Sequence, residues 1–539
     1  MNRGYVTVGS RRAHVRVGGR GPALLLLHSL PQWSRELAAL AEDLAADFAV
    51  ILPDVAGCGL SERLSVPELQ APDLAEDLLE ILDRIPVASL SVHAIGNSAP
   101  IALLLARRLG ARLNRLVLHN PLIVEPPDTE ALERYYRESF HPESSGAHLV
   151  RLWSRVRGEQ QFRPPHRRQA ATRLARSMPT ASALNERLLG WLRAGSEAPR
   201  VLCAAARFPL QEALDRKALP VEVVHSDVDV PQPEQVRAWW ATASASSHRD
   251  NSVDFRDWRP PDTTNGGFQR EFIRVRGGYL HAQISRHGQG RPVLALHDPA
   301  GTSDLVLSFS RPLAETRPVV ALDLPGNGES DNVLGTSSPT SATYASVVAD
   351  ALDSLGIDEV DVIGRYSGGP IGMELTFQRP GLVRHLVQAG ITAYEPDEAR
   401  ALLARYTPSI PPRDDGGHLL TAWHIMESQA LYWPWFDQSR DAVIAGEPQL
   451  DAQLIHQRVF DLLRCGDVYQ QAYAALWTYP LGERLPRLSV PSLLCAPRWD
   501  PLFPHLGKAA AAGPQCPSAT LPDRFQDWHR ILLPFFDRP

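Results

Sequence analysis

The strongest constraint on this chain is that its sequence repeats itself. Leu24-Leu-Leu-Leu-His28 recurs as Val293-Leu-Ala-Leu-His297, and Asp54-Val-Ala-Gly-Cys-Gly-Leu-Ser61 recurs as Asp323-Leu-Pro-Gly-Asn-Gly-Glu-Ser330, both at an offset of 269. Gly96-Asn-Ser98 aligns with Gly364-Arg-Tyr366 at 268, and Gly146-Ala-His148 with Trp153 aligns with Gly416-Gly-His418 with Trp423 at 270. Asp229 then meets Asp500 at 271, and Phe255–Trp258 meets Phe525–Trp528 at 270. An offset that drifts by a few residues across half of a 539-residue chain is the mark of a tandem duplication.

Each copy runs through the same elements. An alternating hairpin comes first, then a short apolar run (23–27 or 292–296), an amphipathic helix, and a second apolar run ending at Asp54 or Asp323. A further helix and a third apolar run lead into a glycine-containing turn at Gly96 or Gly364. Such alternation predicts an α/β fold with a mostly parallel sheet covered on both faces. About a hundred helical, Trp-rich residues then intervene before the next strand, so each copy is expected to carry a helical cap, near 122–218 in the first and 392–487 in the second. The Pro- and Gly-rich stretch 259–268 reads as the linker between domains 1–258 and 269–539.

Composition narrows the function classes. Hydrophobic residues at 44% and charged residues at 22% suit a folded globular chain, and a net charge of −6 offers no basic field for nucleic acid or an anionic membrane. No run of about 18 apolar residues predicts a membrane span. The five cysteines are odd in number, scattered and without a C-x-x-C pair, so neither a disulfide framework nor a zinc site is expected, and a reducing cytoplasm is the default. Lys217 and Lys508 are the only lysines among 55 Lys and Arg residues, a bias that points to a GC-rich, bacterial genome.

This order of parts resembles the α/β-hydrolase superfamily with a helical cap, written twice. The resemblance rests on the His28 and His297 turns, on Asp-x-x-Gly-x-Gly-x-Ser, and on the Gly96 and Gly364 elbows. It implies a nucleophile on a sharp strand-to-helix turn, an oxyanion hole, and an acid and a histidine after the last strands. In the first copy Ser98 of Gly96-Asn-Ser-Ala-Pro100 falls at the nucleophile position, with Pro100 in place of the usual second glycine. Leu30 and Ala99 would donate the oxyanion N–H groups. Asp229, or alternatively Asp227, would be the acid, and His248 the base. In the second copy Tyr366 occupies the nucleophile position and Pro299, which has no N–H, matches Leu30. Ser367 is expected to begin a helix, and Arg524 stands where a base would be needed. The second copy is therefore expected to be degenerate.

His28, His148 and Trp153, with His297, Tyr366, His418 and Trp423 in the second copy, are the candidate substrate-binding residues; Asp54 and Asp323 are read as structural. The leading expectation is a serine-dependent hydrolase of a small, largely apolar ester or related carbonyl compound, working in the first copy without metal or cofactor. The alternative is a non-hydrolytic protein of the same fold, a lyase, cyclase or ligand-binding pseudo-enzyme. Its partner would be a small molecule, and the chain a monomer with an internal pseudo-dimer or a homo-oligomer.

Overall fold

A computed structural model describes residues 1–124, 128–138, 141–216, 219–241, 252–260, 267–335 and 338–538. The chain divides into two compact units: residues 1–141, 147–263 and 412–416 form unit 1, and residues 142–146, 264–411 and 417–539 form unit 2.

Unit 1 is built on β1 (Asn2–Val8), β2 (Arg11–Gly18), β3 (Arg20–Leu27), β4 (Ala49–Pro53), β5 (Leu90–Ile95), β6 (Leu113–His119), β7 (Val221–Val224) and β8 (Ser252–Asp254). Their order is β1-β2-β4-β3-β5-β6-β7, antiparallel through the hairpin and parallel from β4 to β7. Unit 2 has β9 (Gln269–Val275), β10 (Gly278–Ser285), β11 (Val293–Leu296), β12 (Val319–Leu322), β13 (Val360–Arg365), β14 (Val383–Ala389), β15 (Ser492–Pro497) and β16 (Ser518–Leu521). These form the order β9-β10-β12-β11-β13-β14-β15-β16.

The apolar runs lie in the middle of these sheets because both of their faces are covered. In β11, Val293 and Ala295 pack with Phe309 and Trp528 on one side, while Leu294 and Leu296 pack with Tyr344 and Val348 on the other. With every residue of the strand buried, polar alternation has no place in it. Helices fill the space between β6 and β7, among them α2 (Ala147–Glu159) and α3 (Ala181–Ala194), and between β14 and β15, among them α5 (Gly417–Gln429) and α6 (Ala452–Cys465). Two more helices follow the elbows, α1 (Ala99–Leu109) in unit 1 and α4 (Gly368–Gln378) in unit 2.

The last described strands of the two units are not counterparts, because at the repeat offset of 270 β16 corresponds to residues 248–251, which lie outside the described residues. β16 extends the sheet of unit 2 in parallel beside β15, whereas β8 runs antiparallel to the start of β3, with Arg20 opposite Asp254. β8 pairs there because β3 begins three residues before its pairing with β4 starts at Ala23. The backbone groups of Arg20, Gly21 and Pro22 are thus open to another strand, and β8 takes them.

Candidate functional site

The sharp turn after the central strand is located by register. In unit 1 Leu27 of β3 lies opposite Ala94 of β5, and in unit 2 Leu296 of β11 lies opposite Gly364 of β13. Leu27 and Leu296 are matching residues, each preceding the repeated histidine, His28 or His297, so Ala94 corresponds to Gly364 and Gly96 to Tyr366. The backbone agrees: Gly96 has φ 60° and Tyr366 φ 42°, the left-handed conformation that the turn demands at that position. The elbows therefore match at an offset of 270, which also superimposes Pro100 on Pro370.

This corrects the placing of Ser98 at the elbow. Ser98 lies two residues beyond the turn and is fully buried, and its Oγ donates to the Ile95 carbonyl at 2.9 Å. Its counterpart is Gly368. Ala99 moves with it, since its N–H is donated to the Gly96 carbonyl and is not free for an oxyanion. The residue following the turn is Asn97, whose Nδ2 donates to the Leu30 carbonyl at 3.3 Å. A side chain at position 96 would bring a Cβ within 2.6 Å of Ser29 Oγ, so the glycine suits a crowded turn as well as its φ.

Asp229 and Asp500 hold matched places in the repeat. Register along β6–β7 and β14–β15 pairs Leu116 with Val221 and Leu386 with Ser492, and so keeps Asp229 opposite Asp500. Their surroundings differ. Asp229 accepts from Arg176 at Oδ1 (2.6 Å) and Oδ2 (3.4 Å), and its Oδ2 is ion-paired with Arg187 Nη2 at 2.9 Å. Burial pushes its pKa up, but Arg187 and Arg176 outweigh this and hold it below the ordinary value. Asp500 accepts the Tyr366 hydroxyl at 2.9 Å and the Leu502 N–H at 2.8 Å, and burial raises its pKa despite those bonds. Burial, then the neighbouring Asp500, drives the Tyr366 phenol well above its usual pKa. The Arg365 guanidinium lies 5.5 Å from the Tyr366 ring centre and 3.5 Å from the Asp298 carboxylate. His248 lies outside the described residues. Asp227 lines an outer cavity beside Asp229.

Among the candidate histidines, His28 and His297 are a matched pair bonded within the fold. His28 Nε2 accepts the Val55 N–H at 3.1 Å, and His297 Nε2 accepts the Leu324 N–H at 2.9 Å. Each ring's Nδ1 faces a neighbouring carbonyl, of Ser29 or Asp298, so both nitrogens are engaged within the fold. Asp54 and Asp323 are each bonded to a histidine at 2.9 Å, His14 and His281, and each accepts two backbone N–H groups. Gly59 and Gly328 sit against these carboxylates, where any Cβ would collide with them. His148 and His418 are buried in the first turns of α2 and α5. Trp153 Nε1 donates to the Asp414 carbonyl within unit 1, and Trp423 Nε1 to the Ser144 carbonyl within unit 2. Neither His148 nor Trp153 lines the cavities at the unit 1 elbow.

Those cavities are an inner chamber of about 60 Å³ against Ile95, Gly96 and Asn97, and an outer cavity of about 470 Å³. Gln32, Gln160, Arg187 and Asp229 line both. Sequence reading passed over Arg163, Arg176 and Arg187, and also Asn120, whose side chain bonds Ser226 and Val228 and so fixes the loop that carries Asp229. Asn120 has φ 48° and its counterpart Gly390 φ 80°, so an Asn facing a Gly across the repeat was a legible sign of a left-handed turn. Among the described residues no three His, Cys, Asp or Glu side chains are gathered as metal ligands would be, and no helix is long and apolar enough to cross a membrane.

With this geometry in place, the profile of the alpha/beta hydrolase fold family matches residues 22–164 and 291–527, more than half of the chain. The chain belongs to that family, as a tandem of two such folds. Among curated relatives, a proline iminopeptidase of Heyndrickxia coagulans is 30% identical over 22% of this chain and 41% of its own length. The acetyltransferase component of an acetoin-cleaving system from Cupriavidus necator is 36% identical over 20% of this chain and 29% of its own. The chain thus spans less than half of either relative. Among solved structures, a hydrolase from Pseudomonas aeruginosa (19% identity, TM-score 0.39) covers 51% of this chain and all of its own. The enol-lactonase of Burkholderia xenovorans (16% identity, TM-score 0.38) covers 50% of this chain and all of its own.

Proposed function

We propose that this chain is a non-hydrolytic member of the α/β-hydrolase family, in which the elbows recognise a small molecule instead of attacking it. One observation carries the reading: the left-handed residue of the turn is Gly96 in unit 1 and Tyr366 in unit 2. Glycine has no side chain to act as a nucleophile. The Tyr366 hydroxyl is already donated to Asp500, and its raised pKa keeps it a phenol near neutrality, a hydrogen-bond donor in place of an attacking oxyanion. Asp229, with both carboxylate oxygens held by guanidinium groups, is poorly placed to orient an imidazole as well. Both copies are degenerate on this reading, the first as much as the second.

The competing reading is hydrolysis of a small apolar ester by Ser98, favoured by relatives named as a proline iminopeptidase and a putative carbamate hydrolase. It requires Ser98 to leave its bond to Ile95 and reach a chamber that it does not line. The five free, buried cysteines fit a reducing compartment such as the cytoplasm. Turnover of p-nitrophenyl acetate and butyrate by the whole chain decides between the two. We expect no rate above the buffer reaction, and a rate abolished by Ser98→Ala would reinstate the hydrolase.

A further inference from the structure

Between the repeats two residues change together. Gly96 and Asn120 of unit 1 stand where unit 2 has Tyr366 and Gly390. The exchange is steric, because a Cβ at position 390 would lie 2.8 Å from a ring carbon of Tyr366. The Tyr366 ring is bounded by Arg365, whose guanidinium carbon is 5.5 Å from the ring centre, by Gly390, by the aromatic cluster that contains Tyr406, and by Asp500, which accepts its hydroxyl. In unit 1 the counterparts of these four neighbours are Ile95, Asn120, Tyr136 and Asp229, and all four line the inner chamber together with Gly96. The chamber is thus the place that a tyrosine side chain occupies in unit 2.

Asn120 refills part of that place and turns its amide to Ser226 and Val228, which leaves about 60 Å³. That is well below the roughly 150 Å³ in which a benzene ring is held whole, so the chamber takes a hydroxyl and one edge of a ring. The rest of the ligand then lies in the outer cavity of about 470 Å³, where Trp33, Met178, Pro179 and Val228 supply apolar wall. Asp229 already meets three contacts from Arg176 and Arg187, and since a carboxylate has about four acceptor sites it takes one further donor from the chamber side. We infer that unit 1 binds a phenol, its hydroxyl at Asp229 as the Tyr366 hydroxyl is at Asp500, and its aromatic body reaching into the outer cavity. A glycine at the elbow admits from solution the group that unit 2 carries on its own chain. The inference rests on the reading of the elbow as a recognition site and adds the class of ligand for unit 1.

Titration calorimetry on the whole chain with 2-naphthol, 2-methoxynaphthalene and decahydro-2-naphthol separates the two claims. 2-Naphthol should bind with one equivalent per chain, and the ether, which has no donor, and the saturated alcohol, which has no aromatic face, each at least tenfold more weakly. Gly96→Tyr combined with Asn120→Gly carries the unit 2 arrangement into unit 1 and should abolish the binding. Tyr366→Gly, which adds no bulk and suits the left-handed backbone, should vacate the matching place in unit 2 and raise the stoichiometry from one equivalent to two; it keeps the test decisive where the double variant fails to fold. The ether or the saturated alcohol binding as tightly as 2-naphthol would overturn the phenol assignment and leave the recognition reading standing. So would a stoichiometry of one in Tyr366→Gly, because the chamber would then not be the counterpart of the Tyr366 place. Heat from none of the three ligands with the wild-type chain would overturn both.

Discussion

Replacing Tyr366 by phenylalanine removes one atom from the elbow of unit 2 and tests what that residue does there. Asp500 is buried, and its two carboxylate oxygens are served by two donors, the Tyr366 hydroxyl at 2.9 Å and the Leu502 N–H at 2.8 Å. Phenylalanine keeps the ring and tolerates the same backbone, so the change reports the hydrogen bond with little else. A hydrogen bond to a charged group contributes about 1.5–3 kcal/mol, and stranding a buried acceptor costs on the order of 1–3 kcal/mol, so a loss of about 2 kcal/mol is expected at neutral pH. For a unit of this size that is a fall of roughly 4–8 °C in its melting transition. The loss must also depend on pH. The hydroxyl favours the ionised form of Asp500, so the variant's carboxyl has the higher pKa. Wild-type advantage is then complete above both pKa values and shrinks as pH falls through them. Calorimetry at pH 8 and pH 5 reads both effects, with the larger fall expected at pH 8. An unchanged transition, or an equal fall at both pH values, would refute the claim that Tyr366 is a fixed donor to Asp500.

The remaining predictions concern unit 1. Ser98→Ala forfeits the bond from Oγ to the Ile95 carbonyl at 2.9 Å and the longer contact to the Leu27 carbonyl at 3.4 Å, both made by one hydroxyl proton, so it should cost about 1 kcal/mol in a denaturant titration, the scale of one neutral hydrogen bond. Glu36 is raised from its ordinary 4.5 to about 7 by burial, so the folded state keeps a proton that the unfolded chain releases between those values, and its contribution to stability declines as pH rises across that window. The buried histidines His14 and His93, lowered by burial to about 4 and about 3, pull the other way, so the Glu36 part is read by difference. Glu36→Gln should gain on wild type by on the order of 3 kcal/mol between pH 5 and pH 8, in denaturation followed at both pH values. A difference that stays flat would show Glu36 ionised throughout.

How far the sequence reached depended on the range of the signal. The two sheets were legible because β3 and β11, β4 and β12, and the Asp54 and Asp323 turns each combine a buried apolar run with a repeat at a nearly constant offset. Asp229 and Asp500 were legible for the same reason. The elbow was misplaced because Gly96-Asn-Ser98 matches a local pattern, and that match required the offset to fall to 268 between segments at 269 and 270. Pro100 and Pro370, which agree at 270, held the better information. The pairing of β8 with β3 depended on how early β3 begins, a matter of contact between segments more than 200 residues apart. The arginines of unit 1 left no mark at all, since Arg163, Arg176 and Arg187 come from cap segments with no common periodicity and meet only through tertiary packing.

The most direct test of the central claim is the intact mass of the full chain after incubation with an alkyl fluorophosphonate, followed by peptide mapping. A serine activated at an elbow would displace fluoride and retain the phosphonyl group, whereas Gly96 has no side chain to react and Tyr366 holds its proton against Asp500. The mass should remain that of the unmodified chain. A stoichiometric adduct mapped to Ser98 would contradict the assignment of the elbow to Gly96 and return unit 1 to the serine hydrolases.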